Sequence, residues 1–575
     1  MPIHNADVAA IFDRVADFLE IAAANPFRIR AYRNAARTIA DLPQSVAGMV
    51  AAEEDLSRLP GIGHDLAEKI AEIVATGSLG MLDELTRELP AELTDLLQVA
   101  QLGPKRVAIL YRQLGISNLA ELAAAARGQK IRRLKGFGEK TENKILEELQ
   151  WRHREQGRIK LIRAEQVAEP LLAYLAAVPG VTRAVAAGSY RRRRETVGDL
   201  DILVTCRPAS PVMERMVAYE DVAAVIGRGD TKSTVRLRDG LQVDLRVVPD
   251  ECYGAALHHF TGSKEHNVAV RKIAVQKGLK INEYGVFGGE DQQRRLAGAS
   301  EEEVLAAIGL PFIEPELREN QGEIEAARSG RLPELIVADD IRGDLHVHTT
   351  ATDGRASLGE MVAAARELGY EYLAITEHSR AIAVAHGFDR RRLEQQLDEI
   401  DQLADEYPGF RIIKGIEVDI LSDGSLDLPD TVLKKLDLTV CSIHSGFNLP
   451  AARQTERMIR AMDNPHCRII GHPTGRLINE RAPYGVDMEQ VMAAARERGC
   501  FLELNANPDR LDLTDHHCRL AKEMGVKVAI STDAHSVAGL ANIKYGLDQA
   551  RRGWLSRDDV LNTRPVAELL QLLRR

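Results

Sequence analysis

From Gly343 onward, short β-branched runs alternate with helical stretches, and the side chains at the ends of those runs constrain the fold more than any other feature. The runs are DLHVH, LAIT, RIIKGIEV, LTVCSIH, RIIGH, FLELN and VKVAIS. Regular alternation of this kind predicts a β/α barrel. His346 and His348 are two apart in DLHVH and share one face of a strand. They are followed by Asp353, His378, Glu417, His444, His472, Asp533 and His535, nearly all at predicted strand ends. In a barrel those ends converge on one mouth. A lone histidine is usually an ordinary core or surface residue, but nine donors at successive strand ends form a pattern. Mixed imidazole and carboxylate donors suit Zn²⁺, Mn²⁺ or Fe²⁺, and this many imply a cluster of two or three ions that activates water and clamps a phosphate.

The chain has 575 residues, too many for one core, and three or four domains are expected. No apolar run is long enough to span a bilayer. Residues 1–13 carry early charges and no apolar stretch, so no secretory signal is expected. The six cysteines (Cys206, Cys252, Cys441, Cys467, Cys500, Cys518) are scattered without a CxxC pair, which fits a reduced cytoplasm and buried small hydrophobes. The net charge of −10 argues against a uniformly basic coat, yet binding responds to local potential. Residues 151–200 hold ten basic side chains (Arg152, Arg154, Arg158, Lys160, Arg163, Arg183, Arg191, Arg192, Arg193, Arg194) against five acidic ones, a candidate nucleic-acid path.

Up to about residue 150 the pattern is helical, with amphipathic segments separated by Gly/Pro turns. Three turns resemble one another and each precedes a helix: LPGIG (59–63), QLGPK (101–105) and LKGFGEK (134–140). This is a helix-hairpin-helix pattern, in which the glycines allow the tight turn and the helix N-terminus offers N–H groups to a phosphate. One such turn is common; three in succession favour nucleic acid.

The stretch GSYRRRRETVGDLDIL (188–203) opens a mixed α/β region. Asp199 and Asp201 are two apart at the start of a strand-like run and face the same way. In LQVDLRVV, Leu241, Val243, Leu245 and Val247 form the apolar face and Asp244 points to the other. If the two strands are neighbours, three carboxylates converge. That arrangement suits two-metal phosphoryl transfer, with hard cations about 4 Å apart on oxygen ligands. An isolated DxD is more often a solvated turn. Here Gly188 and Ser189 permit close approach of a triphosphate, and Arg192 can neutralise it.

These motifs, with AYRNAA (31–36), LPGIGHDLAEKI (59–70), HFTGSKEHNVAVR (259–271) and INEYGVF after it, resemble the family X DNA polymerases over residues 1–315. The resemblance implies that Asp199 and Asp201 bind both metals, Mg²⁺ or Mn²⁺, and that Asp244 binds the catalytic one near the primer 3′-OH. It implies that Gly188, Ser189 and Arg192 hold the incoming dNTP. Phe260, Gly262, Lys264, Asn267 and Arg271 would surround the nucleotide and nascent pair. Vertebrate members have Tyr-Phe where this chain has His259-Phe260, so sugar selectivity rests on a different side chain here. Lys69 matches the Schiff-base lysine of the eukaryotic repair enzymes. Asp65, four residues earlier, stands where the family often has lysine, and an acid there favours the charged ammonium; a solvated helix lysine is the competing reading.

HxH, TEH, GIE, SIHS, GHP and TDAH, in that order, resemble the PHP phosphoesterase domain over 340–575. This resemblance implies Zn²⁺ and/or Mn²⁺, two to three ions: His346, His348, Glu417 and Asp533 on one, Asp353, His378 and His535 on a second, and His444 and His472 with a bridging Glu417 on a third. Lys414, Asn505 and Asn507 are candidate substrate contacts. The implied activity is a 3′→5′ exonuclease, with 3′-phosphatase and abasic-site cleavage as further activities.

The expected fold class is multidomain α+β and α/β. It comprises an N-terminal helix-hairpin-helix domain (1–85), a fingers-like helical domain (86–155) and a nucleotidyltransferase palm (156–252). A helical thumb (253–318), a linker (319–340) and a distorted β/α PHP barrel (341–575) follow. The expected function is short-gap filling on gapped or nicked DNA in repair, by a cytoplasmic monomer without membrane attachment. Two alternatives are a small-molecule phosphatase with a DNA-tethering N-terminus and a non-enzymatic scaffold with a decayed site. Loss of one aspartate would favour the scaffold, and none is missing.

Overall fold

The computed structural model describes residues 5–574 apart from 23, 41–45, 53, 60, 91–92, 98, 100–101, 156–157, 290–292 and 383–384. Pro60 and Gln101 of the hairpin turns, and the side chains of Arg152 and Arg154, lie outside the described residues. Among the described residues no helix is long and apolar enough to cross a membrane. The chain divides into two compact units, Met1–Gln156 and Gly157–Arg575.

The first unit is helical. One core gathers Val8, Phe12, Tyr32, Ile39, Ile70 and Ile73, and a second gathers Leu93, Val107, Leu110, Leu122, Ile131 and Ile145. All three glycine turns lead into helices. Gly63 precedes His64–Thr76, Gly103 precedes Pro104–Leu114, and Gly138 precedes Glu139–Glu155. Neither Gly63 nor Gly103 caps its helix with a side chain, so the amides of His64, Asp65 and Lys105 have no side-chain cap, and Pro104 has no N–H to offer.

The second unit begins with the pair β1 (Ile159–Lys160) and β3 (Thr196–Val197). The palm sheet contains β2 (Val181–Ala186), β4 (Asp199–Cys206), β5 (Val222–Arg228), β6 (Lys232–Leu237) and β7 (Gln242–Val247), in the order β2-β4-β7-β6-β5. β4 and β7 run parallel, with Asp201 opposite Asp244. Helix Leu161–Ala176 covers the back of the sheet through Leu161, Ala164, Ala168, Leu171 and Leu175.

The region expected to be a helical thumb is mixed. Helices Tyr253–Thr261 and Lys264–Gln276 are followed by an antiparallel sheet of β8 (Lys280–Asn282), β9 (Gly285–Gly288) and β10 (Arg294–Ala297). The strand signal near 280–286 falls on the β8–β9 hairpin. The segment expected to be a linker is folded. Glu323–Arg328 is helical, and Ile324, Ala327 and Leu335 join the thumb core. Arg318, just before it, is fully buried and ion-paired with Glu301 at 2.5 Å. Within the segment Glu319 and Glu323 are paired internally, while Glu325, Arg328, Arg331 and Glu334 are exposed.

The barrel has two parallel sheets. β11 (Gly343–Val347), β12 (Tyr372–Ile375) and β13 (Arg411–Lys414) form one. β14 (Glu417–Asp419), β15 (Val440–Ser442), β16 (Ile469–Ile470), β17 (Phe501–Asn505) and β18 (Val528–Ser531) form the other. Single bridges join them, Val347 to Ala534 and His378 to Glu417, which is the distortion expected of the barrel. RIIKGIEV, expected as one strand, breaks at Gly415, where a Cβ would lie 2.8 Å from the Ile375 carbonyl. The break starts a new strand at Glu417. Leu345, Ala374, Ile413, Val440, Ile469 and Ala529 fill the interior, and Leu561, Leu569 and Leu573 close one end.

Palm and barrel share a core, since Ile478, Leu511 and Tyr545 pack with the palm residues. Arg476 grips Glu195 through both oxygens at 3.1 and 2.6 Å. Lys160 pairs with Glu480 and Asp509 at 2.5 and 2.6 Å. Much of the basic charge expected to form a nucleic-acid path is therefore used internally: Lys160 here, Arg191 on Glu301, Arg192 on Glu319 and Arg193 on Asp548.

Candidate active sites

In the palm, strand pairing brings the three aspartates together. Asp201 and Asp244 are register partners on parallel strands, and Asp199 is two residues before Asp201 on the same face. Thr234 Oγ1 donates to Asp244 Oδ1 at 2.5 Å, and Lys232 Nζ is 3.6 Å from Asp244 Oδ2. Burial, reinforced by the charges of Asp199 and Asp244, pushes the Asp201 carboxyl up to about 7. Carboxylates so placed are stabilised by a cation between them, so the donor set fits hard metal ions. Gly188 has φ +61°, and a Cβ there would lie 2.6 Å from Asp201 Oδ2. Only glycine lets the helix Gly188–Arg191 start against this carboxylate.

A cleft of about 500 Å³ opens on these residues. Gly188, Ser189, Arg192, Asp199, Asp201, Phe260, Gly262, Lys264, Asn267 and Arg271 line it, joined by Arg158, His259 and Val268. Every residue expected at the nucleotide therefore lines one space, while Asp244, beside Asp201 on the neighbouring strand, is outside the lining. Arg158, which the motifs did not single out for this site, is held by the Thr196 hydroxyl at 3.0 Å. His259 Nδ1 faces Arg271 Nη2 at 2.9 Å, and its carbonyl accepts from Asn267 Nδ2 at 2.7 Å. Burial lowers the His259 pKa, which favours a neutral ring at the wall of the cleft. The Arg246 guanidinium stacks 4.3 Å over Phe260, fixing the next side chain along.

The nine barrel donors meet at the mouth. Glu417 is central. Its Oε2 lies 3.5 Å from His346 Nε2, 3.6 Å from His348 Nε2 and 2.8 Å from His378 Nδ1. Its Oε1 lies 3.3 Å from His444 Nε2 and 3.0 Å from His472 Nε2. Asp353 bridges His378 and His535 at 3.2 and 3.4 Å, and Asp533 Oδ1 is 3.2 Å from His348 Nε2. Three clusters have metal-binding spacing: His346, His348 and Asp533; His348, Asp353, His378 and His535; and His378, Glu417 and His444. His348 and His378 thus each serve two clusters, a sharing the expected grouping lacked, and His472 reaches the third only through Glu417. His346 Nε2, both His348 ring nitrogens, His378 Nδ1 and Glu417 Oε2 are buried and, despite these close approaches, make no well-oriented hydrogen bond. Leaving so many polar atoms unsatisfied is costly, and metal coordination accounts for them. Against the desolvation of burial, the carboxylates hold His378 at about 10 and His444 at about 9, the electrostatics of a cation site.

Sequence reasoning missed the residues that aim these donors. Glu503 Oε1 holds His346 Nδ1 at 2.6 Å, and its Oε2 accepts the His472 amide at 2.7 Å. Asp419 holds His444 Nδ1 at 3.1 Å, and the Asp533 carbonyl holds His535 Nδ1 at 2.8 Å. In each case the other ring nitrogen faces the centre. A charged residue inside the apolar run FLELN was the available signal for Glu503. Glu503→Gln is expected to weaken metal retention by the barrel ~10–100-fold, measured as the metal concentration giving half-maximal nuclease activity, with nucleotide addition unchanged. Among the candidate substrate contacts, Lys414 is paired with Asp401 at 2.6 Å. Asn505 donates to Asp533 Oδ2 at 3.1 Å, and the Asn507 side chain accepts from the Asp509 amide.

In the first unit, Lys69 forms an ion pair with Asp65. The amine that a Schiff base would need free is therefore held in an ion pair. Borohydride is expected to trap no more 5′-deoxyribose-phosphate DNA on the wild type than on Lys69→Ala.

Family profiles match in the same order as the architecture. They are a helix-hairpin-helix domain over 3–79, a SAM-like helix-hairpin-helix tandem over 93–150, the DNA polymerase beta palm over 161–250, the DNA polymerase beta thumb over 256–319 and the PHP domain over 344–507. The DNA polymerase/3'-5' exonuclease PolX of Bacillus subtilis (strain 168) is 40% identical over 575 residues, all of both chains. The barrel region is 32% identical to a probable phosphatase of Thermoanaerobacter sp. (strain X514) over 232 residues, 38% of this chain and 89% of that one. A probable phosphatase of Syntrophotalea carbinolica is 28% identical over 232 residues, 38% of this chain and 90% of that one. The chain belongs to the PolX family, the family X DNA polymerases that carry a C-terminal PHP domain.

Proposed function

We propose that this protein fills short gaps in DNA during repair as a DNA-directed DNA polymerase, and that its barrel is a metal-dependent 3′→5′ exonuclease. The observation that carries the first half is the single cleft lined by Ser189, Arg192, Phe260, Gly262, Lys264, Asn267 and Arg271 together with Asp199 and Asp201. A dNTP fits this lining, with its triphosphate at Gly188, Ser189 and Arg192 and its base and sugar at Phe260, Asn267 and His259. Asp199 and Asp201 would hold Mg²⁺ or Mn²⁺ on the triphosphate, and Asp244 would join them on the primer side. Such ions lower the pKa of the attacking hydroxyl and neutralise charge on the transferring phosphoryl group. The 3′-oxygen of the primer then attacks the α-phosphorus, and pyrophosphate leaves. Arg192 and Lys264 bind and neutralise the leaving phosphates. The hairpin turns of the first unit suit the DNA backbone.

In the barrel, the His346, His348 and Asp533 group, the Asp353, His378 and His535 group, and Glu417 with His444 and His472 would hold two to three Zn²⁺ or Mn²⁺ ions. These would supply a hydroxide and a phosphate clamp for phosphodiester hydrolysis. The probable phosphatases that resemble the barrel favour a second substrate, a 3′-phosphate on the same DNA end. The protein acts as a cytoplasmic monomer in this reading. The test is a labelled primer in a gapped duplex with Mg²⁺ or Mn²⁺. One complementary dNTP should extend it and the other three should not; with Mn²⁺ and no dNTP the primer should shorten from its 3′ end. Untemplated addition, or an unchanged primer, contradicts the reading.

A further inference from the structure

The back of the polymerase cleft is braced by the barrel. Arg192 enters the cleft with little of its side chain exposed, and its Nε is 3.1 Å from Glu319 Oε1. Glu319 lies in the segment between thumb and barrel. The same Oε1 accepts from Arg552 Nη1 at 3.0 Å. Arg552 ends helix Ile543–Arg552, which packs on the last barrel strands. That Nη1 also donates to the main-chain carbonyl of Arg192 at 2.8 Å, and Nη2 is anchored on Asp515 Oδ2 at 2.6 Å. One buried guanidinium therefore holds both ends of Arg192, its backbone directly and its side chain through Glu319. Asp548, four residues before Arg552 and so on the same helical face, takes Arg193 at 3.2 Å.

We propose that Arg552 of the barrel, acting through Glu319, is a positioning residue for nucleotide binding in the polymerase cleft. The physical reason is pre-organisation. A flexible arginine must be ordered before it can clamp a triphosphate, and ordering a long side chain costs affinity. Glu319 fixes the Nε side of Arg192, and the Thr261 carbonyl accepts from its Nη1 at the wall of the cleft, so the guanidinium is held in place beside the bound triphosphate. Arg552 offsets the charge of Glu319 and so limits its competition with the triphosphate for Arg192. Without Arg552, Glu319 is left with Arg192 and the more distant Arg194, 3.7 Å away, and the Arg192 main-chain carbonyl loses the donor it accepts from. The barrel then serves polymerisation as well as its own chemistry.

The inference rests on Arg192 holding the triphosphate, and the test separates the two claims. Steady-state single-nucleotide gap filling is measured on the full chain for wild type, Arg192→Ala, Arg552→Met and the double variant. Arg552→Met should raise the KM for dNTP about tenfold, with kcat and the 3′ nuclease rate within about twofold of wild type. The double variant should be no worse than Arg192→Ala alone, because a residue that acts only through Arg192 has nothing left to act on. Arg552→Lys, which restores the charge, should recover most of the KM. If Arg192→Ala raises KM and Arg552→Met does not, the positioning role is wrong and the triphosphate reading stands. If Arg192→Ala leaves KM unchanged, that reading fails and the inference falls with it. Independent, multiplying losses in the double variant would mark a general structural effect and overturn the proposal, as would parallel losses in kcat and nuclease activity. If Arg552→Met does not fold, Arg552→Gln, which removes the charge but keeps a polar end, carries the same comparison, and an unchanged KM there overturns the proposal.

Discussion

Asp201→Ala is expected to abolish templated nucleotide addition, lowering kcat/KM by at least ~10³-fold, while the 3′ nuclease keeps its rate. Asp201 is the carboxylate with most at stake in the palm. It lies between Asp199 and Asp244, it touches the space that only Gly188 leaves open, and its carboxyl is pushed up to about 7 by burial and its acidic neighbours. Alanine removes the group shared by both proposed metal positions and leaves Asp199 and Asp244 without their central partner. Stability should not fall, because a desolvated carboxylate surrounded by like charge is a cost to the fold rather than a support. Single-turnover incorporation on gapped DNA and a thermal melt check both parts. Loss of the nuclease together with the polymerase would mean that the two sites are not separable.

Glu417→Ala is expected to do the reverse. The two oxygens of Glu417 lie within 3.6 Å of five imidazoles, those of His346, His348, His378, His444 and His472. Among the described residues, no other carboxylate is paired with so many of the imidazoles. Its removal breaks the bridge between donor clusters and takes away the one carboxylate they share, so bound metal should drop and nuclease activity should fall at least ~10²–10³-fold. Metal content of the purified protein and release of a labelled 3′ nucleotide are the measurements. Gap filling should persist, since Glu417 is not among the residues that line the palm cleft.

Much of both sites is legible in one sequence because strand periodicity is short. Asp199 with Asp201, and His346 with His348, declare a common face at a spacing of two. His378, His444 and His472 each follow an apolar run whose end must face the barrel mouth. What was not legible depends on contacts distant in sequence. The convergence of Asp244 needed β7 to lie parallel beside β4, which no local pattern states. Glu503 and Asp419 fix ring tautomers from neighbouring strands, and a single acid in an apolar run has too many explanations to be assigned a partner. The 319–340 segment resembled a linker because it is polar, yet two of its acids pair with groups far along the chain. Glu319 meets Arg552, and Glu323 meets His266 in a fully buried pair at 2.7 Å. Gly415 concealed a strand break that only the approach of the Ile375 carbonyl explains.

The central claim is that one chain carries two independent phosphoryl-transfer sites, one that adds nucleotides and one that removes them. It is tested most directly with a 5′-labelled primer bearing a mismatched 3′ nucleotide in a gapped duplex, incubated with Mn²⁺ and all four dNTPs. Wild type should first shorten the primer and then extend it to the end of the gap. Asp201→Ala should shorten it without extension. Glu417→Ala should leave the mismatch in place yet extend a matched primer, and an equimolar mixture of the two variants should restore the full sequence of shortening and filling. A Glu417→Ala protein that still trims the mismatch, or an Asp201→Ala protein that still fills the gap, would contradict the account.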